Sequence, residues 1–389
     1  MPVTYKCPSC GAAMEFDSTF QMLSCHQCGN KIDVHVYEEK YGKQQEQKNQ
    51  GQTYEYNAHQ AYGQSRSESQ GQAQGYAQSH TQNQTQDQTG NASENQRGHQ
   101  EQVKIYHCQS CGAELVADQY TSATICSFCG NPSLVEDRLE GDFTPSVVIP
   151  FKLNKEQAVQ AYKKWVKKGP LTPKTLSTAA TIEKISGLYV PFWLYDYSGE
   201  CKMNAAAQRV RTERRGDTEY IYTDHYHIYR DMVADFEKIP ADASEKMPDD
   251  AMDKLEPFNY NEMEPFSMPY LSGYLSERYN YTDKDMEERV RSRANEYITQ
   301  LTRNTIKGYS TVSVLNNNIN MQNTHNVYAL FPVWMLNCRY QNKDFQFMLN
   351  GQTGKIVANR PISVGRAVAW GIGIFLITLV ITMLGGLLL

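Results

Sequence analysis

The sequence lacks a charge bias. Its 38 Lys and Arg stand against 43 Asp and Glu, a net charge of −5 over 389 residues. No general attraction to nucleic acid or to an anionic surface follows from that balance. Also missing are a GxxxxGK[ST] phosphate loop, an acidic helicase motif, a GxSxG nucleophile turn and an HExxH metal helix. A helicase would need an ATPase core that these absences exclude, and no nucleophile stands beside a base. The chain is therefore expected not to be an enzyme; an unfamiliar site in its globular part is the alternative. No apolar run precedes Cys7, so no signal peptide is expected. The cysteines then belong in a reducing compartment, where clustered thiols bind metal more often than they pair.

One stretch lacks the means to fold. Residues 42 to 102 contain no Val, Ile, Leu, Met, Phe, Trp or Cys. Gln, Asn, Ser, Gly and Thr dominate it, with Tyr54, Tyr56, Tyr62 and Tyr76 scattered through. It cannot bury enough surface to offset its ordering entropy. Residues 39–103 thus read as a disordered linker of about 45 Å mean span, tethering what precedes it loosely to the rest. A self-associating, prion-like segment is the alternative.

Apolar residues collect instead at the C-terminal end. Ala367 to Leu389 is a run of 23 residues without a charge. As a helix it would reach about 34 Å, against a hydrocarbon core of about 30 Å. Arg360 and Arg366 flank its upstream end, and Trp370 sits where an interfacial aromatic is common. The expectation is a single-pass, tail-anchored protein of the cell membrane with the bulk of the chain in the cytoplasm.

Eight of the ten cysteines fall in CxxC pairs, and the pairs repeat. Tyr5 to Val34 aligns without gaps on Tyr106 to Val135. Cys7, Cys10, Cys25 and Cys28 match Cys108, Cys111, Cys126 and Cys129, and Gly11, Ala12, Asp17, Gly29 and Asn30 also recur. Four thiolates at tetrahedral angles suit zinc at about 2.3 Å. The glycine after each second cysteine lets the turn fold back so that backbone amides reach the sulfurs. A four-cysteine site has no open position for water, so two structural zinc ions are expected, neither of them catalytic. His26 and His107 neighbour complete sets and read as surface residues. The units are taken as residues 1–38 and 104–138.

These two units resemble zinc ribbons of the general transcription factor IIB type. The layout is similar to a bacterial family of TFIIB-type zinc-ribbon membrane proteins, some carrying a helicase-like label on the ribbon alone. In the remainder the resemblance rests on Val190-Pro191-Phe192-Trp193 and on Asn350 to Lys355. It implies protein partners among phage-shock-type membrane-stress proteins and proteins with an SPFH (flotillin-like) domain. The function expected is a non-enzymatic, membrane-anchored adaptor or scaffold. A membrane-tethered nucleic-acid-binding protein linked to replication or transcription is the alternative. It is disfavoured because the second ribbon has no Lys or Arg from Tyr106 to Val135.

The fold expected is an α+β globular domain preceded by the two ribbons and followed by one transmembrane helix. Residues 144–361 read as that domain, with amphipathic helices and a β-meander. A helix starts after Asn154 and stops before Gly169, with Ala158, Ala161, Tyr162 and Trp165 as its apolar stripe. Lys163, Lys164, Lys167 and Lys168 decorate the other side and read as a solvated face; anionic lipid or nucleic acid is the alternative. Leu188–Tyr197 and Val327–Tyr340 read as apolar strands, and Pro191 to Leu194 aligns on Pro332 to Met335. That suggests two related halves, or one strand type recurring at a sheet edge, where proline is tolerated. Thr218–Phe236 alternates as a strand after a turn at Gly216-Asp217, Asp283–Lys307 reads as a charged helix, and Phe345–Ala358 as a hairpin. His225 and His227 share a strand face but have no third ligand at a telling spacing. Gly351 to Lys355 is too short for a phosphate loop, and Cys201 and Cys338 read as core thiols.

Overall fold

The computed structural model describes residues 2–42, 104–135, 139 and 141–387. Most of the linker expected at 39–103 lies outside the described residues. Its first residues do not: Glu38–Gly42 form a helical turn that continues the first ribbon.

The first ribbon holds β1 (Pro2–Val3), β2 (Glu15–Asp17), β3 (Met22–Ser24), β4 (Lys31–Ile32) and the short helix α1 (Val34–Tyr37). The second holds β5 (Lys104–His107), β6 (Glu114–Ala117), β7 (Thr121–Ile125) and β8 (Pro132–Val135). There follow β9 (Val147–Val148), α2 (Lys155–Lys167), α3 (Ala179–Ile182), β10 (Ser186–Arg215) and β11 (Thr218–Asp242). The chain continues through α4 (Asp249–Leu255), β12 (Glu264–Pro265), β13 (Leu275–Glu277) and α5 (Asp283–Asn304). It ends with β14 (Thr311–Tyr340), β15 (Lys343–Asn350), β16 (Ile356–Ala358) and α6 (Val364–Leu387).

Strand β10 is the spine. It runs antiparallel to β11 from Phe192↔Asp242 to Arg215↔Thr218, and antiparallel to β14 from Ser186↔Met335 to Gln208↔Thr311. The apolar run Leu188–Tyr197 marks only the part covered on both faces. Beyond it the period is two: Cys201, Met203, Ala205 and Ala207 are buried, while Glu200, Lys202 and Ala206 are exposed. Helix α5 covers the buried side with Met286, Val290, Ala294, Ile298 and Thr302 at four-residue spacing. Thr282 and Asp285 close its N-terminus as a capping box. From Arg209 to Tyr222 the hairpin of β10 and β11 is exposed on both faces.

The sheet runs β1-β8-β7-β13-β10-β14-β15-β16, with β11 on β10 and β9 on β14. Only β14, β15 and β16 make the meander expected; β13 pairs parallel to β10, and β9 parallel to β14. The two proline-bearing runs are partners in the middle of the sheet, Tyr189↔Pro332 and Pro191↔Leu330, rather than edge strands. Each proline sits where one outer neighbour hands over to the next. β13 pairs β10 at Leu188 and Tyr189, and β11 takes over at Phe192. β9 pairs β14 at Ala329 and Leu330, and β15 takes over at Val333. The carbonyls of Pro191 and Pro332 still accept, from Ala243 N and Gly351 N, so at these seams the sheet forgoes only the donor that proline lacks.

Helix α2 is capped by Asn154 as read from the sequence, and Gln157 completes a capping box with it. Helices α4 and α5 are joined by charge. Arg289 contacts Asp242 at 3.3 Å, Asp249 at 3.1 Å and Asp253 at 2.9 Å, and Arg293 contacts Glu256 at 3.0 Å. Burial, reinforced by Asp249, pushes the Asp242 carboxyl up to about 7 despite Arg289.

Both ribbons are built into this body, against the expectation of separate modules with the first on a loose tether. β1 pairs with β8 (Pro2↔Val135), and β7 pairs with β13 (Ser276↔Ala123), so both ribbons feed the main sheet. Phe16 packs edge-on against Tyr270 at 5.1 Å. Ser272 donates its hydroxyl to Met14 O at 2.7 Å, and Phe16 N donates to Ser272 O. Gln21 Nε2 donates to Phe151 O at 2.8 Å. The physical reason is apolar area: Tyr5, Met14, Phe16, Leu23 and Tyr37 are more than a ribbon this small can cover alone, and they join the core of Phe151, Tyr189, Tyr274 and Trp334.

Candidate metal centres

Four turns position the eight cysteines. In each CxxCG segment the glycine lies at positive φ, from 74° at Gly112 to 76° at Gly11, where a side chain would be strained. Each glycine amide donates back to the first cysteine's carbonyl: Gly11 to Cys7, Gly29 to Cys25, Gly112 to Cys108 and Gly130 to Cys126. The turns bring the sulfurs together as the spacing requires. In the first ribbon Cys7 and Cys28 are 3.5 Å apart, as are Cys10 and Cys25. In the second, Cys108–Cys129 and Cys111–Cys126 are 3.7 Å. Each group of four lies within 4.8 Å. Sulfurs about 2.3 Å from a central ion at tetrahedral angles would be roughly 3.8 Å apart, so both groups could hold a metal ion.

The electrostatics point the same way. Burial raises the Cys7 thiol, but the amides of Ser9 and Cys10 and the Asn30 side chain together draw it down to about 6. Cys108 is drawn to about 6 against burial by the amides of Cys111 and Ser110. Cys10 goes the other way: despite the Ala12 amide, its neighbours Cys25 and Cys28 push it up to about 12. Four thiols this close resist ionising together unless a cation balances them. In each set the first cysteine of a pair is buried and the second exposed.

Asn30 and Asn131, which recur at the same offset as the cysteines, have a role beside the sulfurs. Asn30 Nδ2 lies 3.7 Å from Cys7 Sγ, and the Asn30 carbonyl accepts from Cys25 N; Asn131 accepts likewise from Cys126 N. Recurrence at the same offset was the signal that could have revealed the role. His26 stays outside the sulfur set, 3.3 Å from Glu15.

The remaining candidates do not converge. His225 and His227 are exposed side by side on β11, with Gln208 3.5 Å from His225. Cys201 is buried and donates to Asn317 Oδ1; Cys338 is half-buried beside Phe345 O. The loop from Asn350 to Lys355 is held by Asn350 Oδ1, which accepts from Gln352 N and Thr353 N. At Gly351 a Cβ would stand 2.7 Å from the Phe151 ring, so this glycine serves packing. A cleft of about 590 Å³ between the first ribbon and the domain is lined by Glu15, His26, Glu156 and Lys184, with Tyr274 and Trp334. Helix α6 is the one helix among the described residues long and apolar enough to cross a membrane, and Val364–Met383 is entirely unburied.

Two four-cysteine clusters, a mixed α/β domain and one C-terminal apolar helix define the class. The chain belongs to the same family as the uncharacterized protein YdjG of Bacillus subtilis (strain 168), to which it is 37% identical over 335 residues, spanning 72% of this chain and 98% of that protein. No family model matches the chain. No solved structure matches it.

Proposed function

We propose that this is a non-enzymatic adaptor held at the cytoplasmic face of a membrane by α6, with one structural zinc ion in each ribbon. The observation that carries this reading is the completeness of the sulfur sets: four sulfurs within 4.8 Å leave no position for a reacting water. The ribbons then act as rigid projections for protein recognition, and the TFIIB-type membrane family supplies the class of partner, membrane-stress and SPFH-type proteins. Exposed Phe128 and Ile105 on the second ribbon support a protein-facing surface. The test is affinity recovery of the full chain from detergent-solubilised membranes, with and without nuclease. Protein partners that survive nuclease and vanish in Cys108→Ser support the adaptor; partners that vanish with nuclease overturn it.

A second reading, nucleic-acid binding, draws on the tip of β10 and β11. There Arg209 lies over Tyr226, Arg211 over Tyr222 and Arg215 over Tyr220. Glu213, Asp217, Glu219 and Asp224 neutralise the same tip, and Asp224 pairs with Arg211 at 3.3 Å. Phosphate binding needs a surplus of cations that this tip does not have.

A further inference from the structure

We infer that the C-terminal half of α2 is a docking surface for anionic phospholipid headgroups. The inference rests on α6 being a membrane anchor, and it adds where the domain meets the bilayer. Three contacts tie the base of α6 and the residues just before it to α2 and the loop that follows it. Ser363 N donates to Leu171 O at 2.9 Å, and Arg366 Nη1 donates to Thr172 O. Arg360 donates to Trp165 O at 3.2 Å with its guanidinium 4.9 Å from the Trp165 ring. Arg366 lies in the first turn of α6, since the helix begins at Val364, ahead of the Ala367 expected from the sequence. A bilayer that receives α6 therefore has its headgroup layer at the level of this loop, and the end of α2 is carried there with it.

The charge of that region has one sign. Lys163, Lys164, Lys167 and Lys168 are exposed on one arc of α2, and Arg360 is exposed beside them. From Gln157 to Ile182 there is no Asp or Glu, and none from Phe345 to Leu389. None of these five cations has a carboxylate partner within ion-pair distance among the described residues. Ile362 and Val364, 60% and 63% exposed, add apolar side chains at the same level. Elsewhere the chain interleaves its charges, as at the neutral tip of β10 and β11. A solvated face explains lysines on a helix, but not their meeting, free of acids, at the foot of a helix apolar enough to cross a membrane. Each cation close to an anionic leaflet strengthens binding roughly fivefold, and salt weakens it.

The test uses the full chain in lipid nanodiscs of phosphatidylcholine alone or mixed with phosphatidylglycerol. Lysines are labelled with a water-soluble amine reagent and read by mass spectrometry. Reactivity of Lys163, Lys164, Lys167 and Lys168 is expected to fall several-fold in the anionic discs at low salt and to recover at high salt, while Lys202 and Lys307 stay unchanged. Replacing all four lysines by Gln should leave disc incorporation intact and abolish enrichment of phosphatidylglycerol among co-purified lipids. Equal reactivity in both discs, with the chain still incorporated, overturns the lipid surface and leaves the anchor standing. Failure to incorporate overturns the anchor and the surface with it. Protection by added duplex DNA in neutral discs, equal to that by phosphatidylglycerol, assigns the patch to nucleic acid and overturns the proposal.

Discussion

The two ribbons share a motif and a knuckle geometry, yet the domain holds them in different ways. The first keeps its own three-stranded sheet of β2, β3 and β4, lends only the two-residue β1 to the main sheet, and docks chiefly through Phe16 on Tyr270 and Ser272 on Met14. The second is divided: β5 and β6 pair only with each other, while β7 and β8 lie in the main sheet between β13 and β1. A charged clamp fixes this second half. Lys246 bridges Asp118 and Glu277, the latter at 2.8 Å. What packs outside a knuckle is set by the sequence between and around the cysteines, and the metal geometry is indifferent to it. The second ribbon also keeps an apolar surface free, with Phe128 77% exposed where the first ribbon has Gln27.

The comparison can be broken most forcefully at the metals. Structural zinc typically contributes about 10–16 kcal/mol of apparent binding energy. Cys7→Ser should therefore empty the first site and leave close to one zinc per chain by elemental analysis. Cys108→Ser should lower the content below one, because losing β7 and β8 also removes the partner of β1. Next in size is Phe16→Ala, which should cost about 3–5 kcal/mol in denaturant unfolding. Limited proteolysis of this variant should cut the first ribbon before the second.

A smaller effect separates the ribbons by pH. The Lys246 and Thr121 hydrogen bonds hold the Asp118 carboxyl, against its burial, down at about 2. A carboxyl depressed in the folded chain adds stability above its unfolded value of about 4 and gives it up as pH falls from there toward 2. Solvent reaches both partners, so the contribution is about 1 kcal/mol. Asp118→Asn should flatten that limb of an acid-unfolding curve. Least of all, Phe128→Ser should change stability by no more than about 0.5 kcal/mol while reducing recovery of partners.

The sequence made local chemistry legible. Cysteine spacing with glycine after each pair points directly to the clusters, and Asn154 marks the start of α2. Alternation from Thr218 to Phe236 marks part of β11. The full length of β10 is harder to see, because Gly199 carries no side chain to continue the alternation. In the sheet Gly199 makes room for Met321, whose Sδ would lie 2.6 Å from a Cβ. Docking of the first ribbon was not legible at all. Tyr270, Ser272 and Tyr274 are far along the chain from Phe16, and no local pattern announces such a meeting. The prolines misled for a similar reason: a seam inside a sheet looks, in one strand, like an edge.

The pairing of β1 with β8 changes the meaning of the residues between the ribbons. With Pro2 beside Val135, and the first ribbon held to the domain by its own contacts, Gly42 and Lys104 belong to one body. Loop-closure entropy grows only with the logarithm of length, about 0.6 kcal/mol for each doubling. A connection between two points that the body already holds in place can change in length at little closure cost, so the seat of the first ribbon rests on its own contacts and not on the number of residues that join it to the second.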